Sequence, residues 1–202
     1  MIHGENVVEI RYECYYVQDC QGMHTYTDPE DGEEYHYSQF EAADAHKAFP
    51  CFDQPDLKAP YTLMAIIPRG WTAISTGIMR KSVESGSKDF RNHIEKFDWD
   101  EEDLLALYPS KGSIKPTIFT YEFTMSPKLS TYLYSLVVGP YVKLESDKEE
   151  IRAYRFPLKL YCRKSLAEHL KKTKEEYFHI TKCGIDYYEE LFGIKYPFKK
   201  MD

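Results

Sequence analysis

The sequence predicts a mainly β protein: an antiparallel β-sandwich followed by one long C-terminal α-helix. Two observations predict this fold class. Short segments in which apolar and polar residues alternate, separated by turn-forming residues, recur along residues 6–162. From Ser165 onward the apolar residues instead recur every three or four positions, which is typical of an amphipathic helix. We therefore expect a β-domain over residues 1–163 and a helix with an exit segment over residues 164–202.

The start of the predicted β-domain contains a hairpin. Residues 6–17 alternate in period two and are predicted to form the first strand, and residues 23–26 form the second. Asp31-Gly32 is a strong hairpin-turn signal, so residues 35–41 are expected to return as the partner strand.

Further strands are expected in five β-prone segments, at residues 61–67, 71–78, 117–125, 131–144 and 158–162. Residues 80–96 are polar and mixed in charge, which predicts an exposed hairpin or loop. Residues 98–108 place acidic residues before leucines. This order predicts a short helix with its acids at the positive end of the helix dipole.

The long helix is predicted over residues 165–192. Ser165 and Glu168 have the spacing of a capping box at its start, and Gly193 suits the position after its last turn. One stripe of the helix is expected to face the apolar surface of the β-domain. The stripe consists of Leu166, Leu170, Tyr177, Ile180, Gly184, Tyr187 and Leu191.

Composition excludes several classes of protein. The 202-residue chain carries a formal net charge of -7, which would repel a phosphate backbone, so we expect no nucleic-acid partner. No window approaches the roughly 18 apolar residues of a membrane-spanning helix. With no such window, and with no basic region followed by an apolar run at the N-terminus, we expect a soluble, cytoplasmic protein. The five cysteines are an odd number in a chain too long to need disulfides, which predicts reduced thiols.

The chemistry of interest lies in Ser38-Gln39-Phe40-Glu41. In an extended strand alternate side chains share a face, so Gln39 and Glu41 would point together, with Phe40 opposite. A carboxylate beside an amide can bind a cation such as an α-ammonium group. The same pair can equally be the ordinary polar face of a strand, and the spacing leaves both interpretations open.

No catalytic or metal-binding residues are predicted in this chain. The zinc peptidase motif H-E-x-x-H is absent, and His169 and His179 are ten positions apart, too far along a helix to share a metal. Cys51 could be a nucleophile, but only His46 lies near it in the sequence. A packed thiol is the expected role of Cys51.

In chain order, the sequence contains the stretches YSQFEAADAHKAFPCFDQPDLKAPYTL, GWTAIST, MSPKLSTYLYSLVVGPY and DYYEELFGIKYPFKKMD. Together they resemble the N-terminal domain of the aminopeptidase N family of zinc aminopeptidases, especially its bacterial-type members. The resemblance implies a saddle-like β-domain that packs on a thermolysin-like catalytic domain. It implies that Gln39 lines the first specificity pocket and that Glu41 helps to bind the free α-amine of the substrate. His46 stands where the family usually has Arg.

The resemblance also implies that zinc belongs to a catalytic domain, because this sequence contains neither H-E-x-x-H nor G-x-M-E-N. We expect a shortened domain that is inactive alone and needs no cofactor itself. A non-catalytic structural subunit of a larger assembly, and an independent binder of small molecules, are the alternatives. A protein partner is expected to cover an open sheet edge and the C-terminal helix, and a peptide N-terminus is the expected substrate once a catalytic domain is joined.

Overall fold

The computed structural model of the protein describes Gly4 and residues 6–108, 116–147 and 155–202. Within these residues nine strands alternate with short connections and three α-helices. The strands are β1 (Gly22–Thr27), β2 (Glu34–Gln39), β3 (Met64–Pro68), β4 (Thr72–Ser75), β5 (Met79–Glu84), β6 (Ile118–Phe123), β7 (Leu136–Gly139), β8 (Val142–Glu145) and β9 (Lys159–Cys162). The α-helices are α1 (Lys88–Ile94), α2 (Glu101–Ala106) and α3 (Ala167–Phe192).

All the strand pairs are antiparallel and form three sheets. The orders are β1-β2-β7-β4 in the first sheet, β3-β6-β5 in the second and β8-β9 in the third. Ala65 and Ile67 from the second sheet pack with Ala73 and Val138 from the first in one buried cluster. The predicted fold class, a mainly β architecture followed by one long helix, is therefore confirmed.

The predicted hairpin is confirmed. Strands β1 and β2 pair along their whole length, from Gly22 opposite Gln39 to Thr27 opposite Glu34. The connecting turn closes with hydrogen bonds from the Gly32 amide to the Asp28 carbonyl (2.8 Å) and from the Asp28 amide to the Glu33 carbonyl (3.0 Å). The turn places Gly32 at a φ of 70°, which glycine adopts without the steric cost of a side chain.

The predicted first strand, residues 6–17, is wrong. Within residues 6–17, all of which the structure describes, only Val17 forms a β-bridge, an isolated one to His24 of β1. Val7 and Tyr15 are 92% and 94% exposed. Period-two alternation describes which side chains share a face, but a strand also needs a hydrogen-bonded neighbour, and no described segment pairs with residues 7–16.

The predicted loop at residues 80–96 is also wrong, because the segment forms β5 and α1. The Ser87 side chain caps α1 by accepting a hydrogen bond from the Phe90 amide (3.1 Å). Phe90 and Ile94 are then buried with Val83 in a second apolar cluster. Isolated apolar residues in a polar segment thus supply one face of a short helix.

Among the other elements, the run at residues 131–144 is divided into a 3₁₀ turn (Thr131–Leu133), β7 and β8. Strands are present within the remaining predicted segments. The short acidic helix is α2, and its Asp100 side chain accepts a hydrogen bond from the Glu102 amide (2.7 Å). The other strands and α2 agree with the sequence prediction in type, whereas the single strand expected at residues 131–144 is two strands preceded by a 3₁₀ turn.

Helix α3 is present as predicted and ends at Gly193, whose left-handed conformation has a φ of 64°. The predicted capping box is wrong. Leu166 occupies the N-cap position without a side-chain cap, because the Ser165 hydroxyl donates to Asp28 of the hairpin turn instead (2.6 Å). A 3₁₀ turn, Lys164–Leu166, precedes the helix.

The apolar stripe predicted for α3 is mostly exposed. Tyr177, Ile180, Tyr187 and Leu191 are each more than half exposed. The helix instead packs through a different face, on which Phe178 is buried against Phe156 and Leu158. The apolar periodicity identified the helix but not its buried face, because the helix has two apolar faces. The more aromatic face lies outward.

A buried carboxylate joins the hairpin turn to the start of α3. Asp28 is 1% exposed and accepts hydrogen bonds from the Ser165 hydroxyl and from the Arg163 guanidinium (2.9 Å). The hydrogen bond from Ser165, with those from the Glu30 amide and Arg163, lowers the pKa of Asp28. The Tyr35 hydroxyl accepts a third junction contact, from the Lys164 amide (3.0 Å). The junction at residues 163–165 is thereby held against the hairpin.

A second buried carboxylate, that of Glu189, lies in the helix region. We expect it to contribute to stability in a way that is lost in acid. Glu189 accepts hydrogen bonds from the Tyr196 amide (2.7 Å), Arg155 (2.5 Å) and Lys195 (3.0 Å), which lower its pKa from 4.5 to about 2. Because the folded-state pKa is depressed, the stabilisation is complete above about pH 4.5 and is lost as the pH falls toward 2.

We therefore expect Glu189→Gln to lower the melting temperature at neutral pH, with a difference from the parent that shrinks between pH 4.5 and pH 2. Thermal unfolding followed by circular dichroism at a series of pH values measures this difference. The exposed neighbour Glu190, changed to Gln, is the matched control and should lower the melting temperature at neutral pH much less than Glu189→Gln does. A Glu189→Gln difference that stays constant across this range would contradict the assignment.

Candidate functional site

Gln39 and Glu41 lie where β2 ends and the chain turns. Gln39 is the last residue of the strand, and Glu41 begins the turn that follows, with a cis peptide bond to Ala42. Both side chains are exposed, whereas Phe40 between them is buried. The amide and the carboxylate are therefore both exposed to solvent, but the strand ends before Glu41, so the expected common strand face for the two side chains stays a prediction.

Phe40 anchors this segment to the protein interior. Its ring packs in a cluster with Met23 of β1, with Ala45 of the 3₁₀ turn Ala45–Lys47 and with Ala48 directly after that turn. It also meets the Phe49 ring edge-on, with 5.9 Å between the centroids. Because the buried Phe40 lies between Gln39 and Glu41 in the chain, its packing holds the backbone of these two residues against the protein interior.

A second anchor is the buried carboxylate of Asp53. It accepts hydrogen bonds from the His46 amide (3.0 Å) and the Thr131 hydroxyl (2.6 Å), and it lies 2.9 Å from His46 Nδ1. Burial opposes the charge of Asp53, but the hydrogen bonds from Thr131 and His46 outweigh it and lower the pKa of the carboxyl. Asp53 therefore holds the loop after Glu41 against the 3₁₀ turn at residues 131–133.

His46, which stands where the family usually has Arg, has a local structural role. The His46 ring is about half exposed and forms an ion pair with Asp53 when protonated. Sequence reasoning missed Asp53 and Thr131, which lie 78 positions apart and meet only in the fold. The proline-punctuated FDQPD motif around Asp53 was the available signal, because a carboxylate inside such a turn commonly accepts local backbone hydrogen bonds.

An apolar cleft of about 810 Å³ lies beside Phe40. Phe40, Phe49 and Tyr61 line one part of it, and alternate residues of segment 8–16 line another. Neither Gln39 nor Glu41 lines the cleft. The two exposed polar residues and the cleft are therefore separate features, connected through Phe40.

Cys51, the candidate nucleophile, is not activated in the structure. Burial raises the pKa of the Cys51 thiol, with a smaller contribution from the charge of Asp53, which opposes formation of a nucleophilic thiolate. Across the part of the chain that the structure describes, all five cysteines are free. In the same residues no group of three His, Cys, Asp or Glu side chains could hold a metal ion, so zinc does not fit a site here.

Comparisons with known proteins identify the fold that carries this site. The peptidase M1 N-terminal domain family matches residues 3–100, which include β1, β2 and the segment from Gln39 to Asp53. These residues belong to the peptidase M1 N-terminal domain family. The resemblance found in the sequence is thus confirmed.

Individual relatives extend the similarity beyond residue 100. Aminopeptidase N of Streptomyces lividans is 33% identical over 202 residues, which is all of this chain and 19% of that protein. Aminopeptidase M1 of Arabidopsis thaliana is 26% identical over 203 residues, covering 99% of this chain and 19% of that protein. Aminopeptidase N of Acetobacter pasteurianus is 27% identical over 165 residues, covering 82% of this chain and 36% of that protein.

The chain therefore spans between 19% and 36% of the length of these relatives. Among the described residues, no helix has both the length and the apolar character that a membrane span requires.

Proposed function

We propose that this chain is the substrate-capping domain of a zinc-dependent aminopeptidase, which removes N-terminal amino acids from peptides. In this proposal Glu41 binds the free α-amine of the peptide and Gln39 lines the pocket for its first side chain. The observation that carries it is an exposed carboxylate and amide at the end of β2, fixed by the buried Phe40, in a peptidase M1 N-terminal fold.

The charge and exposure of the site suit an amine ligand. A carboxylate that is free in the uncomplexed protein can form a charge-assisted hydrogen bond with an ammonium group without first breaking another contact. In the part of the chain that the structure describes, the Glu41 side chain forms no hydrogen bond or ion pair. Glu41 is thus available to a ligand, whereas Asp28, Asp53 and Glu189 are already occupied by structural partners.

The proposal assigns hydrolysis to a second, zinc-bearing part. Since the sequence has no H-E-x-x-H, the domain by itself is proposed to be inactive. The zinc-bearing part is proposed to come from a catalytic region like that of the relatives, carried on the same or another polypeptide. The boundary after residue 163 remains a prediction within this proposal.

An outward aromatic face on α3 supports docking to such a part. Tyr187, Tyr188, Leu191 and Phe192 are each more than half exposed, and the rings of Tyr188 and Phe192 are stacked with centroids 5.8 Å apart. The apolar surface continues to Ile194, which is also exposed. Contiguous exposed apolar residues of this kind mark an interaction surface more often than ordinary solvent-exposed surface.

Phe192→Ala is expected to weaken this docking about 30-fold, the effect of losing a central aromatic contact worth about 2 kcal/mol. Calorimetric titration with the remainder of Streptomyces lividans aminopeptidase N, expressed without the part that matches this chain, measures the dissociation constant. Leu107→Ala, which removes an exposed side chain after α2, is the control and should bind as the parent does. Equal affinity for the Phe192→Ala variant and the parent would place the interface elsewhere.

A non-catalytic structural subunit of a larger assembly is the second candidate function, and the same aromatic face supports it. The two functions differ in what the partner is. Stoichiometric copurification with a zinc-bearing polypeptide supports the capping domain, and copurification only with an unrelated complex supports the structural subunit. A cytoplasmic location is proposed in either case, since the five cysteines are free in the described structure.

A further inference from the structure

Residues 7–16 form an unpaired extended segment. None of them makes a backbone hydrogen bond to another described residue, and none belongs to a sheet. Alternate side chains nevertheless point the same way, since Val8, Ile10, Tyr12, Cys14 and Tyr16 all line the apolar cleft. The segment thus has the side-chain pattern of a strand and a free set of backbone donors and acceptors.

The cleft lies between this segment and the two larger sheets. Its other walls are mainly apolar and include Phe40 and Leu136 beside the first sheet and Leu63 and Met64 beside the second. We infer that the cleft is an acceptor site for an extended peptide strand, which pairs with the backbone of residues 7–16 and buries alternate apolar side chains between the sheets. A lipid or small apolar ligand would fill the cleft but leave the backbone groups unpaired.

The outward face of the segment specifies the charge of this strand. Glu9, Arg11 and Glu13 alternate along it. Among the described residues, Arg11 forms ion pairs with the exposed carboxylates of Glu9 (3.7 Å) and Asp98 (3.3 Å), and such exposed pairs are weak. On the outward face of a partner strand, a basic, an acidic and a basic side chain in that order would lie next to Glu9, Arg11 and Glu13. This order is the same in both directions, so it suits a parallel or an antiparallel strand. The occupant is therefore a peptide with alternating apolar residues and this charge order.

The peptide Thr-Ile-Lys-Val-Glu-Ile-Lys-Val-Thr, blocked at both ends and labelled with fluorescein, is the probe. Fluorescence anisotropy with the full chain should show saturable binding. The charge-exchanged peptide Thr-Ile-Glu-Val-Lys-Ile-Glu-Val-Thr should bind about tenfold more weakly at low salt, because like charges then lie opposite each other at three cross-strand pairs. In a Glu9→Lys, Arg11→Glu, Glu13→Lys variant the preference between the two peptides should reverse.

Hydrogen exchange of the complex supplies an independent readout. The amides of residues 7–16 should become protected when the first peptide binds, whereas those of the distant helix α3 should not change. The inference is overturned if neither peptide binds, if both bind equally, or if binding leaves the amides of residues 7–16 unprotected. It is also overturned if the segment pairs with a second copy of the chain and excludes the peptide. Gln39 and Glu41 take no part, so the result is independent of the proposed function.

Discussion

Glu41→Ala is expected to lower kcat/KM for an aminoacyl arylamide about 50-fold in the assembled aminopeptidase. The reason is the loss of one charge-assisted hydrogen bond to the substrate ammonium, worth about 2 to 3 kcal/mol in a site closed from water. The melting temperature of the isolated chain should not change, because the Glu41 side chain is exposed. Steady-state hydrolysis by the assembled enzyme and thermal unfolding of the chain measure the two effects.

Two further variants show whether the charge of Glu41 matters. Glu41→Gln retains a hydrogen-bond acceptor without the charge and should fall between the parent and Glu41→Ala. Glu30→Ala removes an exposed carboxylate from the hairpin turn and should behave as the parent. An unfolding effect of Glu41→Ala on the isolated chain, with no effect on hydrolysis, would instead give Glu41 a structural role.

Phe40→Ala is expected to destabilise the chain by about 3 to 4 kcal/mol. Its ring is 4% exposed and packs with Met23, Ala45 and Ala48, so truncation removes buried apolar area and leaves a cavity. The loss should also loosen the backbone that carries Gln39 and Glu41. Urea unfolding measures the stability, and hydrogen exchange at residues 39–44 measures the loosening.

Phe52→Ala is the matched control for Phe40→Ala. Phe52 is 79% exposed, so the same chemical change should cost less than about 0.5 kcal/mol. If the two substitutions cost the same, Phe40 is not the anchor of the segment. If Phe40→Ala destabilises the chain but leaves exchange at residues 39–44 unchanged, the positions of Gln39 and Glu41 are set by Asp53 alone.

Local signals in the sequence predicted the elements that depend on local chemistry. The Asp31-Gly32 turn, the acidic start of α2 and the glycine after α3 are all present where they were expected. In each case a short-range backbone requirement determines the residue type. Strand alternation predicted the burial of Phe40 next to an exposed Gln39, whereas Glu41 lies in the turn after the strand.

Features that depend on distant residues could not be predicted. Ser165 has the spacing of a capping residue, but its hydroxyl donates to Asp28, which lies 137 positions earlier. Residues 6–17 have strand periodicity, but periodicity does not supply a hydrogen-bonded partner. Helix α3 has two apolar faces, and the choice of Phe178 over Tyr177 for the interior depends on Phe156 and Leu158 of the adjoining segment. Tertiary contacts decide the roles of Ser165 and of the two faces of α3, and the lack of a described strand partner decides the state of residues 7–16.

The most direct measurement compares aminoacyl arylamide hydrolysis by three samples in the presence of zinc. The samples are this chain alone, the zinc-bearing remainder of Streptomyces lividans aminopeptidase N alone, and their stoichiometric mixture. The capping-domain function predicts no hydrolysis by the chain and a mixture much more active than the remainder, with the gain diminished by Glu41→Ala. Hydrolysis by the chain alone, or a mixture no more active than the remainder alone, would contradict it.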